Sequence, residues 1–544
     1  MLRRFKFQSR TYFFSRALSS VMSLPVGSIP QRRSLLLFAM LAIVMVVFSY
    51  LFTLLLAVAC VYLPWLAVSN LPNFQTFALL LGGIVVAGVM FWSLVPRPDK
   101  FEAPGVLLQL ASHPRLFAEI ENIAASLREP VPREIYLISD PNAWVADRGG
   151  LMGFGSRRVM GLGLPLLAAL NISQFRAILA HEFAHYYGGD TSLGPWVHRT
   201  QMFMIRTFRA IGSMGEHRLP GIVAVLYMVV FGILKWYWLV FLRAVNFVSR
   251  RQEYRADELA AIVAGPEWLS GGLRVVHGTA LAWPTYWQTE VLPMLNLGCL
   301  PAIGAGFSQF LAAPDIAKQV QLGIESEIRE GKKDSFDTHP PLRDRLTAAE
   351  RLAIQSPSGD LTPALGLLND PGSEELRFLE CANPGLPKNA LKRVSWEEGG
   401  NKVLIPAWAN WVSEYSSLLQ EIAADKLFEA LGKVPQIARK IRDPEGMLLR
   451  PEQRVERARS LLATALGLTL INHGWTLHSR PGEFYLSRGD EQLNPHKLIQ
   501  QLSDGAISRE AWAARCTEMG IAGISFASTT INDVANTSAA GSGA

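Results

Sequence analysis

Between Ser34 and Pro96 the chain carries no Asp, Glu, Lys or Arg. A helix at the surface of a soluble domain must offer water a polar face, so an uncharged run of this length points to lipid. The run divides at Ser69-Asn70-Leu71-Pro72-Asn73, a polar cluster of turn-forming residues. The pieces on either side, about 35–67 and 77–95, are each long enough to cross a bilayer, which takes about 20 apolar residues. A transmembrane helical hairpin over 34–97 is the first constraint on the fold.

Orientation follows from the flanks. Arg3, Arg4, Lys6, Arg10, Arg16, Arg32 and Arg33 precede the run, Arg97 and Lys100 follow it, and the connecting cluster has no basic residue. The positive-inside rule puts both ends of the hairpin in the cytoplasm. A basic tail over 1–33, a bacterial inner (plasma) membrane and a cytoplasmic remainder are expected. The first acidic residue is Asp99 and the opening is rich in Arg, Ser and Phe, so a mitochondrial transit segment and a mitochondrial inner membrane stand as the alternative. The four cysteines, Cys60, Cys299, Cys381 and Cys516, are scattered without a C-x-x-C pair, which suits a reducing compartment. The net charge of +6 comes largely from the tail, and no basic-aromatic stripe argues for nucleic acid.

The chemistry begins at His181-Glu182-Phe183-Ala184-His185. Residues i and i+4 share a helix face, so two imidazoles can hold one Zn²⁺ with a glutamate beside the open position. Ser173 is expected to cap this helix, Phe175, Ile178, Leu179 and Phe183 to bury it, and Gly188-Gly189 to end it. A catalytic zinc needs a third protein ligand. Downstream, Glu253 and Asp257 are again spaced i, i+4, so one helix face can offer Glu253 to the metal and Asp257 to the second ring nitrogen of a ligand histidine, His181 by preference.

In this order, H-E-F-A-H, R-Q-E-Y-R-A-D and Thr338-His339-Pro340-Pro341-Leu342 resemble HtpX-type membrane metallopeptidases and the related CAAX prenyl endopeptidases. Pro141-Asn142-Ala143-Trp144 resembles a stretch those proteins carry ahead of the zinc helix, and the resemblance covers about 105–350. It implies a gluzincin with one zinc per chain, His181, His185 and Glu253 as ligands, Glu182 as general base and Asp257 as orienting carboxylate. It also implies Asn142 and Ala143 on the substrate path and His339 near the cleft, as an oxyanion donor or as a structural loop residue. Arg343 and Tyr254 are weaker candidates for that donor role. The fold class expected is mainly α with a small β-sheet, a zincin-like α+β protease domain over 100–354. Glu134–Ser139 and Arg157–Leu162 read as strands whose exposed edge can bind an extended substrate.

Residues 221–241 are apolar except for Lys235 and end in Trp236-Tyr237-Trp238. His185 and Glu253 must meet at one metal, so an odd number of membrane crossings between them is impossible. The only partner segment, 196–211, contains His198, Arg199, Arg206 and Arg209, a costly set in hydrocarbon. A hairpin over about 196–242 that dips into or lies against the membrane is expected, with two full crossings as the alternative.

Gln355-Ser356-Pro357-Ser358-Gly359 opens an expected linker over 355–403, followed by a small, mainly helical unit over 404–532 and a disordered tail over 533–544. Pro451–Leu468 reads as a helix and Gly474–Ser487 as a β-hairpin, while His473, His478 and His496 lack metal spacing. The sequence thus describes a membrane zinc endopeptidase acting on membrane or unfolded polypeptides, with the bilayer as partner and oligomers possible. A processing protease for a lipidated or secreted precursor, or a non-catalytic protease-like chaperone or scaffold, are the alternatives.

Overall fold

The computed structural model describes residues 33–95, 97–150, 155–187, 194–214, 221–331, 339–383, 391–443 and 449–528. Residues 1–32 of the basic tail, the tail over 533–544, Gly188-Gly189 and Thr338 lie outside these residues. The molecule is mainly helical with small sheets.

Helices α1 (Arg33–Asn70) and α2 (Phe74–Leu94) form the expected hairpin, and the turn between them ends at Asn73, whose side chain caps α2 in a reciprocal pair with Thr76. The two backbones touch at Gly83, where an added Cβ would lie 1.9 Å from the Cys60 carbonyl oxygen. Apolar side chains such as Val44, Phe48, Leu55, Phe77 and Leu81 face outward, as lipid-facing helices require.

The sheet runs in the order β1 (Val106–Leu107), β2 (Glu134–Ile138), β4 (Arg157–Gly163), β3 (Ala143–Arg148). Strands β2 and β4 are parallel, and β1 and β3 add antiparallel at the two edges. The edge nearest the zinc-motif helix is therefore β3. The expected strand over 157–162 is β4, which is paired on both sides and offers no free edge.

After α3 (Pro114–Ser126) and α4 (Leu164–Ala169) comes α5 (Ile172–Ala184), which buries Phe175, Ile178, Leu179 and Phe183. Its cap is Asn171, paired reciprocally with Gln174, and not Ser173. Ser173 sits inside the first turn, and its hydroxyl accepts the Asp360 N–H at 2.7 Å.

Helices α6 (Gly194–Met214) and α7 (Gly221–Ala264) pack antiparallel on the α1–α2 pair. Ile211, Val230 and Leu234 meet Ala57, Cys60, Val86 and Met90, while Phe203, Tyr237, Phe241 and Val245 meet Met45, Tyr50 and Leu94. Near its start α7 touches Gly82, midway along α2, through Val223. It does not end at 242. Helix α7 is continuous for 44 residues, since nothing in Arg243–Ala264 breaks a helix, and it carries Glu253 and Asp257 at its far end.

Beyond α8 (Pro266–Tyr286) follow α9 (Leu292–Asn296), α10 (Ile303–Ala312), α11 (Pro314–Glu330) and α12 (Leu342–Glu350). One apolar core joins β1–β4, α3–α5 and α8–α12. Residues 355–403, expected as a linker, feed the same core through Leu367, Phe378, Leu379, Trp396 and Val403. A Ser/Pro/Gly-rich opening hides the apolar spacing that follows it. A second core gathers Ile405 to Phe526 around Leu461, Leu466 and Trp512. There the expected hairpin is the first part of a three-stranded meander, Thr476–Arg480, Glu483–Arg488 and Glu491–Leu493.

Candidate metal centre

Packing of α5 against α7 sets the zinc-motif face over the Glu253–Asp257 face. His181 Nε2 lies 3.4 Å from Glu253 Oε2, and His185 Nε2 lies 3.5 Å from Glu253 Oε1. The two imidazoles meet edge to face with centroids 4.8 Å apart. One donor atom from each of His181, His185 and Glu253 falls within 4.8 Å of the others, the one such cluster among the described residues. His181 and Glu253 are buried at the floor. His185 is the C-cap of α5 and keeps helical backbone angles, so the i, i+4 relation to His181 survives the helix end.

Asp257 approaches the other ring nitrogen of His181, Oδ1 to Nδ1 at 3.0 Å. Behind it stands a residue that the sequence reading missed. Arg345 in α12 donates to both carboxylate oxygens of Asp257, Nε to Oδ2 at 2.8 Å and Nη2 to Oδ1 at 2.7 Å, and its Nη1 lies 3.7 Å from Glu253 Oε2. Leu342, Arg345, Leu346 and Ala349 make up the buried face of α12. An arginine in an i, i+3, i+4, i+7 apolar series was the available signal. Arg343 points away, its guanidinium beside Gly331 and its Nε 3.4 Å from Asp344. His339 stands at the entrance, half exposed, with Nδ1 3.2 Å from Glu253 Oε2.

A cavity of about 410 Å³ opens on this centre. Glu182, His181 and Arg345 line one part, Asn142, His339 and Pro340 another, and Leu166, Ile178, Leu273 and Val276 an apolar part. Asn142 is exposed at the head of β3, and Ala143 beside it is buried, its N–H held by Asn142 Oδ1 at 2.9 Å. Neither Tyr254 nor Arg343 is among the described residues that line the cavity.

The electrostatics favour a cation here. Burial opposes charge on His181, but Asp257 and Glu253 outweigh it and push the imidazole up to about 10. Burial, then the neighbouring His181, drives His185 down to about 4. Burial works to raise the Glu253 carboxyl, yet the His181 and His339 imidazoles hold it well below the usual carboxylate range. Glu182 has no such partner, and burial pushes it up to about 7, near the optimum for a general base.

A divalent metal fits this donor set. Glu253 Oε2 is enclosed yet hydrogen-bonds to no described residue. Two buried carboxylates against one guanidinium call for a second positive charge, which a proton on His181 supplies here and a metal would supply in its place. Two imidazoles and a carboxylate, with a carboxylate behind one imidazole, are a set that suits zinc.

Residues 111–353 match the family model described as Peptidase family M48. "Protease HtpX homolog 2" of Methanosarcina mazei is 26% identical over 313 residues, covering 56% of this chain and 93% of that protein. "Protease HtpX homolog" of Prosthecochloris aestuarii is 26% identical over 236 residues, 41% of this chain and 66% of its own length. A crystal structure of S. mikatae Ste24p aligns over 58% of this chain and 66% of that one, at 16% identity and a TM-score of 0.24, too slight a likeness to build on. With three helices long and apolar enough to cross a bilayer, the chain is an integral membrane protein whose 111–353 region is of the M48 metallopeptidase type. Within that class it is HtpX-like.

Proposed function

We propose that this protein is a zinc endopeptidase of the bacterial inner membrane that degrades misfolded or membrane-embedded polypeptides on the cytoplasmic side. The observation that carries the reading is the convergence of His181, His185 and Glu253 on one point beside Glu182, at the floor of an open cavity. His181, His185 and Glu253 would hold the zinc. The ion, when bound, supplies Lewis acidity that polarises the scissile carbonyl and makes a water easier to deprotonate. Glu182 takes a proton from the attacking water and delivers it to the leaving amine. Asp257 keeps His181 in the tautomer that offers Nε2, and Arg345 holds Asp257 in place. His339 is placed to donate to the oxyanion as the carbonyl becomes tetrahedral. An extended substrate lies along β3, entering past Asn142 and Ala143.

Catalytic residues come from about 100–354, and the unit over 404–532 is assigned to substrate or partner contacts. The α6–α7 hairpin, whose Val223 meets α2 at Gly82, midway along that helix, is read as dipping into the bilayer. Hydrolysis of unfolded casein by the purified full chain in detergent tests the reading, with wild type, Glu182→Gln and a chelated sample side by side. Cleavage only by the unchelated wild type is expected. Cleavage that survives Glu182→Gln would sink the mechanism, and purified protein free of zinc would sink the centre.

A further inference from the structure

Two rigid elements set the height of the metal centre above the membrane. Helix α7 is one of them. Leu94, the last residue of α2, packs on the cluster that holds Phe203, Tyr237, Phe241 and Val245, so the end of α2 lies at the level of this stretch of α7. That level is marked as an interface. Trp92 and Trp236 are exposed, the Arg97 guanidinium lies 4.1 Å from the Trp92 ring centroid, and Arg243 follows Phe241 directly after Leu242. From Phe241 the same unbroken helix continues to Glu253, and at 1.5 Å per residue this is about 18 Å.

Strand β3 ties the centre to the chain that follows α2. Just past α2, Asp99 accepts from Arg148 Nε at 2.8 Å and from the Gly149 N–H at 2.8 Å, and its own N–H donates to the Gly150 carbonyl at 2.9 Å. The far end of β3 is therefore tied to the segment that leaves the membrane. The near end, at Asn142, lines the cavity with His181 and Glu182. From Arg148 to Asn142 an extended strand covers about 20 Å at about 3.3 Å per residue.

We propose that these elements act as a molecular ruler, so that the enzyme cuts membrane-anchored polypeptides no closer than about six residues from the bilayer surface. The figure is the α7 height of about 18 Å divided by about 3.3 Å per extended residue. Juxtamembrane segments shorter than this do not reach Glu182 while their helix stays in the bilayer. The substrate class is a membrane protein with a longer unstructured tail or loop on the side of the metal centre. The proposal rests on the peptidase reading above, and its test separates the two.

The full-length protein is reconstituted in phosphatidylcholine vesicles with substrates made of one hydrophobic helix followed by a repetitive, unstructured cleavable tail. The same tail without the helix, free in solution, is the control. Cut positions are mapped by mass spectrometry of the products. Cuts along the whole free tail, with a protected zone of about six residues in the anchored one, support the ruler. Cuts within the first three anchored residues at the rate of the free tail would overturn it. If neither substrate is cut, the peptidase reading falls, and the ruler with it.

Discussion

At the residue scale the centre is a chain of dependencies, with each group held by the next. Glu182 holds no structural partner of that chain, so Glu182→Gln is expected to lower kcat by about 10²–10⁴-fold while metal content by elemental analysis stays at wild-type level. Arg345 sits at the other end, buried against Asp257. Arg345→Leu strips that buried carboxylate of its guanidinium and leaves it only the His181 ring nitrogen, and breaking a buried ion pair costs about 3–5 kcal/mol. A lowered melting temperature and loss of metal on dialysis should both appear, with Arg345→Lys recovering part of each. His339→Ala should instead cost about 10²–10³-fold in kcat with metal retained, if its imidazole meets the oxyanion. Retained activity would assign the histidine to the loop alone. The convergence of His181, His185, Glu253 and Asp257 was legible because i, i+4 spacing is a property of a helix before it folds onto anything. Arg345 was not, since a cation on an apolar face acquires meaning only once a partner helix supplies the carboxylate.

At the element scale, α5 and α7 are what bring the donors together. The capping pair of Asn171 and Gln174 starts α5 about four turns ahead of His185. Asn171→Ala should cost about 1 kcal/mol, read as a small fall in melting temperature with the metal still bound. Gly83 plays the corresponding part in the membrane pair, where Gly83→Val would force α1 and α2 apart at Cys60. Lower yield of folded protein in mild detergent is the expected outcome. The two membrane helices, β2 and β4 were readable from composition and pattern. Strand β3 was not recognised, because Ala143-Trp144-Val145-Ala146-Asp147-Arg148 lacks a clean alternation and owes its state to pairing with β4. The full reach of α7 was missed because its apolar half and charged half read as separate segments.

At the scale of the molecule, two cores are joined where the Pro481-Gly482 turn packs on α10 and α11. Gly482 has a φ of 77°, and a Cβ there would lie 2.9 Å from Phe310 and 3.0 Å from Ile316. Lys497 pairs with Asp315 at 3.0 Å beside it. Gly482→Val should loosen this joint and open the segment near 404 to limited proteolysis. Removal of bound metal should lower the melting temperature of the peptidase region, since a ligand at 100 times its Kd stabilises by about 2.7 kcal/mol. By itself the sequence determined the membrane hairpin, the two donor helices and the requirement that His185 and Glu253 share one membrane face. Those follow from local hydropathy, helical periodicity and chain continuity. Only the tertiary structure decided that residues 355–403 belong to the peptidase core, that Arg345 closes the centre and that α7 runs unbroken from its apolar half to Glu253. Each of those depends on contacts between segments far apart in the chain, which no local pattern of residues encodes.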